Sequence, residues 1–343
     1  MADNFLPDDN SLTNKETYSN LSPDCILDAV DACGYQTSGS LLALNSYENR
    51  VYQIGLESDG QDDDFIIAKF YRPGRWSDEC ILEEHEFSLE LAAAEIPIIA
   101  PLANVQQQTL LHYQGYRFAL FPRRGGRAPE LEDADHLRQL GRFLGRIHAL
   151  GNSRRFAHRP RLSTQRFGRE ALDYLLDNNF IPAEILHNYQ LAAEDMLSQI
   201  ENTWEALIPL RELRLHGDCH PGNILWTDKG PHFVDLDDCL SGPAIQDLWM
   251  LLSGDRDQMS QQMQAIMEGY TTFFDFDPTE LQLIEALRGL RMLHYSAWLA
   301  RRWNDPAFPR AFPWFNGPRY WEEQLYSLRE QSERLNMPVI ELY

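Results

Sequence analysis

The stretch Leu213 to Leu236, L-R-L-H-G-D-C-H-P-G-N-I-L-W-T-D-K-G-P-H-F-V-D-L, decides the reading of this 343-residue chain. Two apolar runs, Leu213–Leu215 and Ile224–Trp226, enclose a polar loop holding His216, Asp218, His220 and Asn223, and a third, Phe233–Val234, ends on Asp235. Short runs of strand formers separated by polar residues predict strand, loop, strand, turn, strand, with Asp235 at the end of a strand hairpin-paired with Ile224–Trp226. An Asp, an Asn five positions on and a second Asp on the next strand are what magnesium-dependent phosphoryl transfer needs. Asp218 has the chemistry of a proton acceptor for an attacking hydroxyl. Asn223 and Asp235 offer the oxygens a hard cation prefers, and Mg2+ takes few protein ligands and completes its shell with phosphate and water. Any one of these side chains alone is ordinary turn chemistry. Together on one strand-loop frame they point to a kinase.

A phosphate grip is sought upstream. Lys69 lies in the apolar run Ile66-Ile67-Ala68-Lys69-Phe70, and Glu83, Glu84 and Glu86 follow on a predicted helix. A strand Lys paired to a helix Glu aims an ammonium at the α- and β-phosphates. No G-x-G-x-x-G precedes it; in its place stands Asn45-Ser46-Tyr47-Glu48-Asn49-Arg50, which reads equally as a phosphate-binding tip or a plain polar hairpin. A softer chemistry competes for the central stretch, since His216-x-x-Cys219-His220 with His232 and Cys239 resembles a zinc pattern. Zinc sites use separated ligand pairs, and c-type haem needs CxxCH, which His216 rules out. His216 and His220 are better read as holding the loop backbone. Redox control by Cys219 or Cys239 is disfavoured, because the neighbouring acids raise a thiol's pKa.

Composition sets the outer limits. Thirty basic against 52 acidic residues leave a formal charge of −22 with no basic stripe, which argues against nucleic-acid or anionic-membrane partners. Five cysteines without a CxxC pair, and no apolar run near the ~18 residues of a membrane helix, suggest a cytoplasmic chain. Residues 1–20 are polar and acidic and are expected to be a disordered tail. A helix opens at Ser22-Pro23. Strands are expected at Leu41–Leu44, Val51–Ile54, Phe65–Tyr71 and Phe118–Phe121, with a helix over Ile81–Ala94 whose apolar positions are Leu82, Phe87, Leu91 and Ala94. Helical spacing then takes over at Asp135–Leu150, Ala183–Leu207 and Ala244–Leu252. Asp277-Pro278-Thr279-Glu280 reads as a capping box starting a helix towards Trp303. The expected fold is α+β and bilobal: an antiparallel-sheet N-lobe over 21–122, a hinge at 123–127, a mainly helical C-lobe over 128–335 and a tail over 336–343.

With these residues in place, the chain resembles the aminoglycoside-phosphotransferase and choline-kinase branch of the protein-kinase-like fold. His216-Gly217-Asp218-Cys219-His220-Pro221-Gly222-Asn223 is similar to that branch's H-G-D-x-H-x-x-N loop, and Val234-Asp235-Leu236-Asp237-Asp238 to its magnesium motif. Within the branch it resembles the bacterial stress response kinase A family, through L-N-S-Y-E-N-R-V-Y-Q, K-F-Y-R-P, I-L-E-E-H, L-H-G-D-C-H, V-D-L-D-D, Q-D-L-W-M-L-L and D-P-A-F-P, spread from Leu44 to Pro309. The resemblance implies an ATP-dependent serine/threonine protein kinase of the stress response that phosphorylates itself and protein substrates; a monomer is expected. It carries over Asp218 as proton acceptor, Asn223 and Asp235 as Mg2+ ligands, Lys69 as the phosphate Lys and Glu84 as its partner. It also makes Ser46 a nucleotide contact and possible self-phosphorylation site by family position, and Phe118–Phe121 the strand entering the adenine hinge.

Two departures from ordinary protein kinases stand out. Gly217 replaces the Arg of H-R-D, and only eleven residues separate Asp235 from Asp247, too few for a long activation segment. A small-molecule kinase for choline, homoserine or an aminoglycoside is therefore the alternative, with Asp235, Asp237 and Asp238 as carboxylates for a cationic alcohol. A nucleotide-binding scaffold without catalysis is disfavoured by the full set Lys69, Asp218, Asn223 and Asp235.

Overall fold

The computed structural model describes residues 18–57 and 64–342, so all but the last three positions of the expected N-terminal tail lie outside it. The described chain divides into two compact units. The first takes residues up to Gly126 together with His232–Asp237; the second takes Arg127–Pro231 and Asp238 onward.

The first unit opens with α1 (Pro23–Asp31), where Ser22 Oγ accepts from the Cys25 amide at 3.2 Å and Pro23 occupies the first turn. Then follow β1 (Thr37–Ala43), β2 (Arg50–Leu56), β3 (Phe65–Phe70), α2 (Asp78–Ala93), β4 (Leu111–Tyr113) and β5 (Tyr116–Pro122). The strands make one antiparallel sheet in the order β1-β2-β3-β5-β4. Successive strand side chains alternate between faces. In β3, Ile66, Ala68 and Phe70 therefore pack with Ile26, Ala29 and Val30 of α1, and Phe70 stacks on Phe118 at 5.1 Å. The intervening Lys69 goes to the opposite face. The helix expected from Ile81 starts three residues earlier, because Ser77 Oγ caps it by accepting from Cys80. Leu82, read as part of its apolar face, is 47% exposed. Strand β4 was not foreseen. It is three residues long and reaches β5 through Gln114-Gly115, both at positive φ, a two-residue turn without the usual Asn-Gly signal.

The second unit contains α3 (Ala134–Gly151), α4 (Glu170–Asp177) behind a π turn at Gln165–Arg169, and α5 (Ala183–Ala206). β6 (Leu213–Leu215), β7 (Ile224–Thr227), β8 (Gly230–Phe233) and β9 (Leu240–Gly242) follow, the chain leaving the unit midway through β8. β7 and β8 are the arms of the expected hairpin, and β6 pairs antiparallel with β9. The remaining helices are α6 (Ile245–Leu248), running into a 3₁₀ turn at Trp249–Leu251, α7 (Arg256–Tyr270), α8 (Ile284–Arg301), α9 (Ala307–Ala311) and α10 (Pro318–Arg334). A core of Leu172, Leu175, Tyr189, Met196, Leu197, Leu290 and Trp321 joins α4, α5, α8 and α10.

The expected capping box at Asp277 does not form. Asp277 accepts from the Thr279 amide, while the Glu280 carboxylate is buried and accepts from the Ile245 amide at 2.9 Å. Residues Pro278–Leu283 are consequently a 3₁₀ segment and α8 starts at Ile284. A true capping box stands instead at Asp255 and Gln258, ahead of α7.

Two predictions follow from this packing. Helices α3 and α7 touch backbone to backbone: a Cβ on Gly141 falls 2.0 Å from the Ile266 carbonyl oxygen. Gly141→Ala is expected to cost at least about 2 kcal/mol in urea denaturation, while Gly125→Ala, which meets nothing, stays near parent. Burial lifts the Glu280 carboxyl to about 7, with the Ile245 amide pulling the other way. Between its ordinary 4.5 and 7 the native state holds a proton that the unfolded chain has released. Its contribution to stability therefore falls as pH rises through that window and is flat above it. Glu280→Gln should lessen the decline in urea midpoint across the window.

Candidate active site

Strand parity places Lys69 on the face that α2 covers, and there it is 5% exposed. An ammonium so buried needs partners. Its Nζ lies 3.2 Å from Glu84 Oε1, 3.0 Å from Asp235 Oδ1 and 3.1 Å from Asp237 Oδ1. Burial pulls the Lys69 pKa down, and Asp235, Asp237 and Glu84 more than offset it, holding it well above the ordinary lysine value. Of the three candidate glutamates, Glu84 shares the buried face of α2 with Ile81, Ser88 and Leu91, while Glu83 is half-buried and Glu86 exposed.

Asp235 sits at φ +61 with its carboxylate 49% exposed, so Lys69 holds one oxygen and the group still reaches solvent. Asp237 is buried and is shared between Lys69 and Arg75. It is thereby committed, which weakens its expected service as a carboxylate for a cationic alcohol. The Asn45–Arg50 turn is laced by Arg72, whose amide donates to Asn49 Oδ1 and whose guanidinium donates to the Glu48 and Tyr47 carbonyls. Ser46 lies half-buried in this turn. The functional weight of Arg72 and Arg75 was missed; both lie in or just beyond the K-F-Y-R-P segment.

In the second unit the loop His216–Asn223 is held from behind by Asp247, which is fully buried. Its two oxygens accept from the His216 and Gly217 amides, each at 2.8 Å, and His148 Nε2 lies 3.1 Å from it. Gln246 adds a bond to the Gly217 carbonyl at 2.8 Å. Gly217 has φ +86, and a Cβ there would fall 2.1 Å from the Asp238 carbonyl oxygen, so an Arg at this position is sterically excluded. His220 Nδ1 accepts from the Gly222 amide, the loop-shaping expected of it. Asn223 Nδ2 donates to the Asp218 carbonyl at 3.0 Å, which leaves the amide oxygen as the atom for a cation.

The Asp218 carboxylate meets a guanidinium and an imidazole. Arg291 Nη1 is 2.8 Å from Oδ1 and His220 Nε2 is 3.5 Å from Oδ2. Burial raises its pKa, and Arg291 and His220 outweigh burial, so the group is held below the usual carboxylate range and is ionised. Neither Asp247 nor Arg291 was identified as functional from sequence, although Asp247 lies in the quoted Q-D-L-W-M-L-L segment.

The half-exposed Asp235 carboxylate in the first unit and the Asn223 amide oxygen in the second are each hard-oxygen donors of the kind Mg2+ accepts. Among the described residues, no three or more His, Cys, Asp or Glu are gathered around one metal position, as zinc would require. Cys219 and Cys239 are fully buried, and burial, then Asp247 and Asp218, push the Cys219 thiol well above its ordinary pKa.

An Asn at 247 has one accepting oxygen for two amides. Asp247→Asn should lower stability by about 1–3 kcal/mol in thermal or urea melts. It should also slow ADP release at saturating MgATP by roughly 100-fold through misplacement of Asp218.

Comparison with known proteins follows the same lines. Residues 40–284 match the phosphotransferase enzyme family. Stress response kinase A of Escherichia coli (strain K12) is 44% identical over 328 residues, covering 95% of this chain and 97% of that one. A relative from Salmonella typhimurium, named serine/threonine protein kinase RdoA, is 45% identical over 331 residues, covering 96% and 98%. Among solved structures, an amicoumacin kinase in complex with AMP-PNP and Ca2+ superposes with a TM-score of 0.70 at 18% identity, covering 96% of this chain and 97% of that one. A microcompartment-associated aminopropanol kinase gives 0.63 at 17%, covering 89% and 98%. These likenesses establish the α+β protein-kinase-like fold.

Proposed function

The chain belongs to the phosphotransferase enzyme family, with the stress response kinase A proteins as its homologues, and from that premise we propose that it is an ATP-dependent serine/threonine protein kinase. It transfers the γ-phosphate to Ser or Thr hydroxyls of itself and of protein substrates, in a cytoplasmic stress response. Asp218 takes the proton of the attacking hydroxyl. Lys69, steadied by Glu84, holds the α- and β-phosphates, and Ser46 contacts the nucleotide from the Asn45–Arg50 turn. Asn223 and Asp235 would each offer an oxygen to Mg2+, whose charge would neutralise that of the phosphate oxygens.

The observation that carries the proposal is the pairing inside the loop. Asp218 is ionised, and Asn223, tied to the Asp218 carbonyl, has its amide oxygen left for a metal. Protein as the acceptor is supported by the near-full-length likeness to the relative named as a serine/threonine protein kinase. A small-molecule kinase keeps specific support from the eleven residues between Asp235 and Asp247.

Incubation with γ-labelled MgATP, alone and then with choline, homoserine and an aminoglycoside, separates the two. Label is expected on Ser or Thr of the protein, with Asp218→Ala reducing transfer by about 10²–10⁴-fold. Rapid label transfer to one metabolite with the protein unlabelled would overturn the protein-kinase assignment. Unchanged ADP release in Asp218→Ala would overturn the assignment of the base.

A further inference from the structure

We infer that Arg291 and the face of α8 beyond it read the phosphoryl acceptor, selecting a hydroxyl carried on an acidic peptide segment and rejecting cationic acceptors. The inference rests on the protein-kinase proposal and names its substrate class. An acceptor hydroxyl must come within about 3.2 Å of the Asp218 carboxylate. There it meets Arg291, which lies 2.8 Å from Oδ1 through Nη1 and whose side chain is 45% exposed. A cationic alcohol would arrive against a guanidinium that is always charged. A carboxylate next to the hydroxyl would instead gain a forked, charge-assisted partner. By competing for Arg291, it would also free the Asp218 oxygen that Arg291 covers.

The rest of the helix extends the same chemistry. Arg288, Arg291, Tyr295, Trp298 and Arg302 follow one another at steps of three and four, which places them along one face. Tyr295 is 39% exposed and stacks on Trp298 at 5.7 Å, and the Arg302 guanidinium lies 5.6 Å over the Trp298 ring. Two cations, two rings and a further cation thus follow along the stripe, and its exposed members, Arg291 and Tyr295, offer a peptide one charged group and one ring. Charge makes the face distinctive. In a chain of formal charge −22, the exposed cation of the stripe is Arg291, since Arg288 is paired with Glu285 at 3.0 Å and Arg302 is half-buried.

The test compares three Ser-containing peptides of equal length, flanked by Asp/Glu, by Ala/Gly or by Lys, as acceptors for the full chain with MgATP. In the parent, KM for the acidic peptide should be roughly tenfold below that for the Lys-flanked one, and the gap should close towards about 1 M NaCl. Arg291→Ala should shrink the KM ratio between the neutral and acidic peptides about tenfold, beyond a fall in kcat shared by all three peptides through the lost partner of Asp218, and Arg291→Lys should restore part of the ratio. Thermal melting checks that each variant is folded, and the parent comparison alone decides the matter if Arg291→Ala is not. Equal KM for acidic and Lys-flanked peptides in the parent overturns the inference and leaves the protein-kinase proposal standing. Equal loss on all three peptides in Arg291→Ala reduces Arg291 to a structural role and overturns it too. Labelling of choline or an aminoglycoside with no peptide labelled overturns the protein-kinase proposal itself.

Discussion

A carboxylate that no water reaches holds the loop His216–Asn223 in shape. Asp247 is fully buried, and a buried charge persists only if its lone pairs are met. Two are met by consecutive backbone amides, those of His216 and Gly217, and His148 lies against the same group. His148 is fixed in turn by Tyr270, whose hydroxyl is 2.8 Å from Nδ1. The loop is therefore clamped by its backbone, so the Asp218 carboxylate is not consumed in holding it, while His220 and Asn223 each spend one side-chain atom on a loop bond and keep the other. Their positions follow from short-range bonds: both the His220 amide and the Asn223 side chain donate to the Asp218 carbonyl. The clamp also explains the glycine. Amides aimed together at one carboxylate turn the chain through φ +86 at Gly217, hard against the Asp238 carbonyl, where no side chain fits.

The first unit meets a burial problem of the opposite sign. One ammonium, Lys69, faces three carboxylates, and Arg75 supplies a second cation through Asp237. With Glu48, which also pairs with Arg75, and Arg72, which shares Glu48, three positive groups among four negative ones leave an excess of one negative charge. That excess is cheapest where solvent or a further cation can reach it, and Asp235, with 49% of its side chain exposed, is the open member. Glu84 and Asp237, at 3% and 4%, are not. The same counting shows why Asp235 and Asp237, two residues apart and equally acidic in sequence, differ in what they can do. One retains an approach for a metal, and the other is fully engaged in holding two cations.

Local patterning carried far into this fold. The alternation in Ile66–Phe70 put Lys69 on its own face, and Ser22-Pro23 marked a helix start that is capped as its residues require. Among Glu83, Glu84 and Glu86 the residues themselves left the choice open, and the family resemblance selected Glu84, which lies on the buried face of α2. Where the outcome depended on distant partners, sequence was silent. Asp247 acts on residues about thirty positions back, and Arg291 reaches Asp218 across 73. Glu280 shows the competition directly: the local pattern asked it to cap its own helix, and a buried amide at Ile245, 35 residues away, took its carboxylate instead. Strand β4 was lost to brevity and to a Gln-Gly turn that carries no strong signal.

The two departures noted in the sequence, a glycine where protein kinases carry Arg beside the catalytic Asp and no room for a long activation segment, are connected through charge. A half-buried carboxylate such as Asp218 needs a cation nearby to stay ionised. Position 217 cannot supply one, because the Asp247 clamp leaves no volume for a side chain. The cation comes instead from α8, on a flexible and half-exposed arginine. An arginine in the loop itself would be fixed by the backbone that carries it. One on a neighbouring helix faces the approaching acceptor, and its bond to Asp218 can be exchanged for a bond to that acceptor at little conformational cost. With the compensating charge on the helix rather than in the loop, one side chain would serve the two proposed tasks, keeping Asp218 ionised and sorting acceptors by charge.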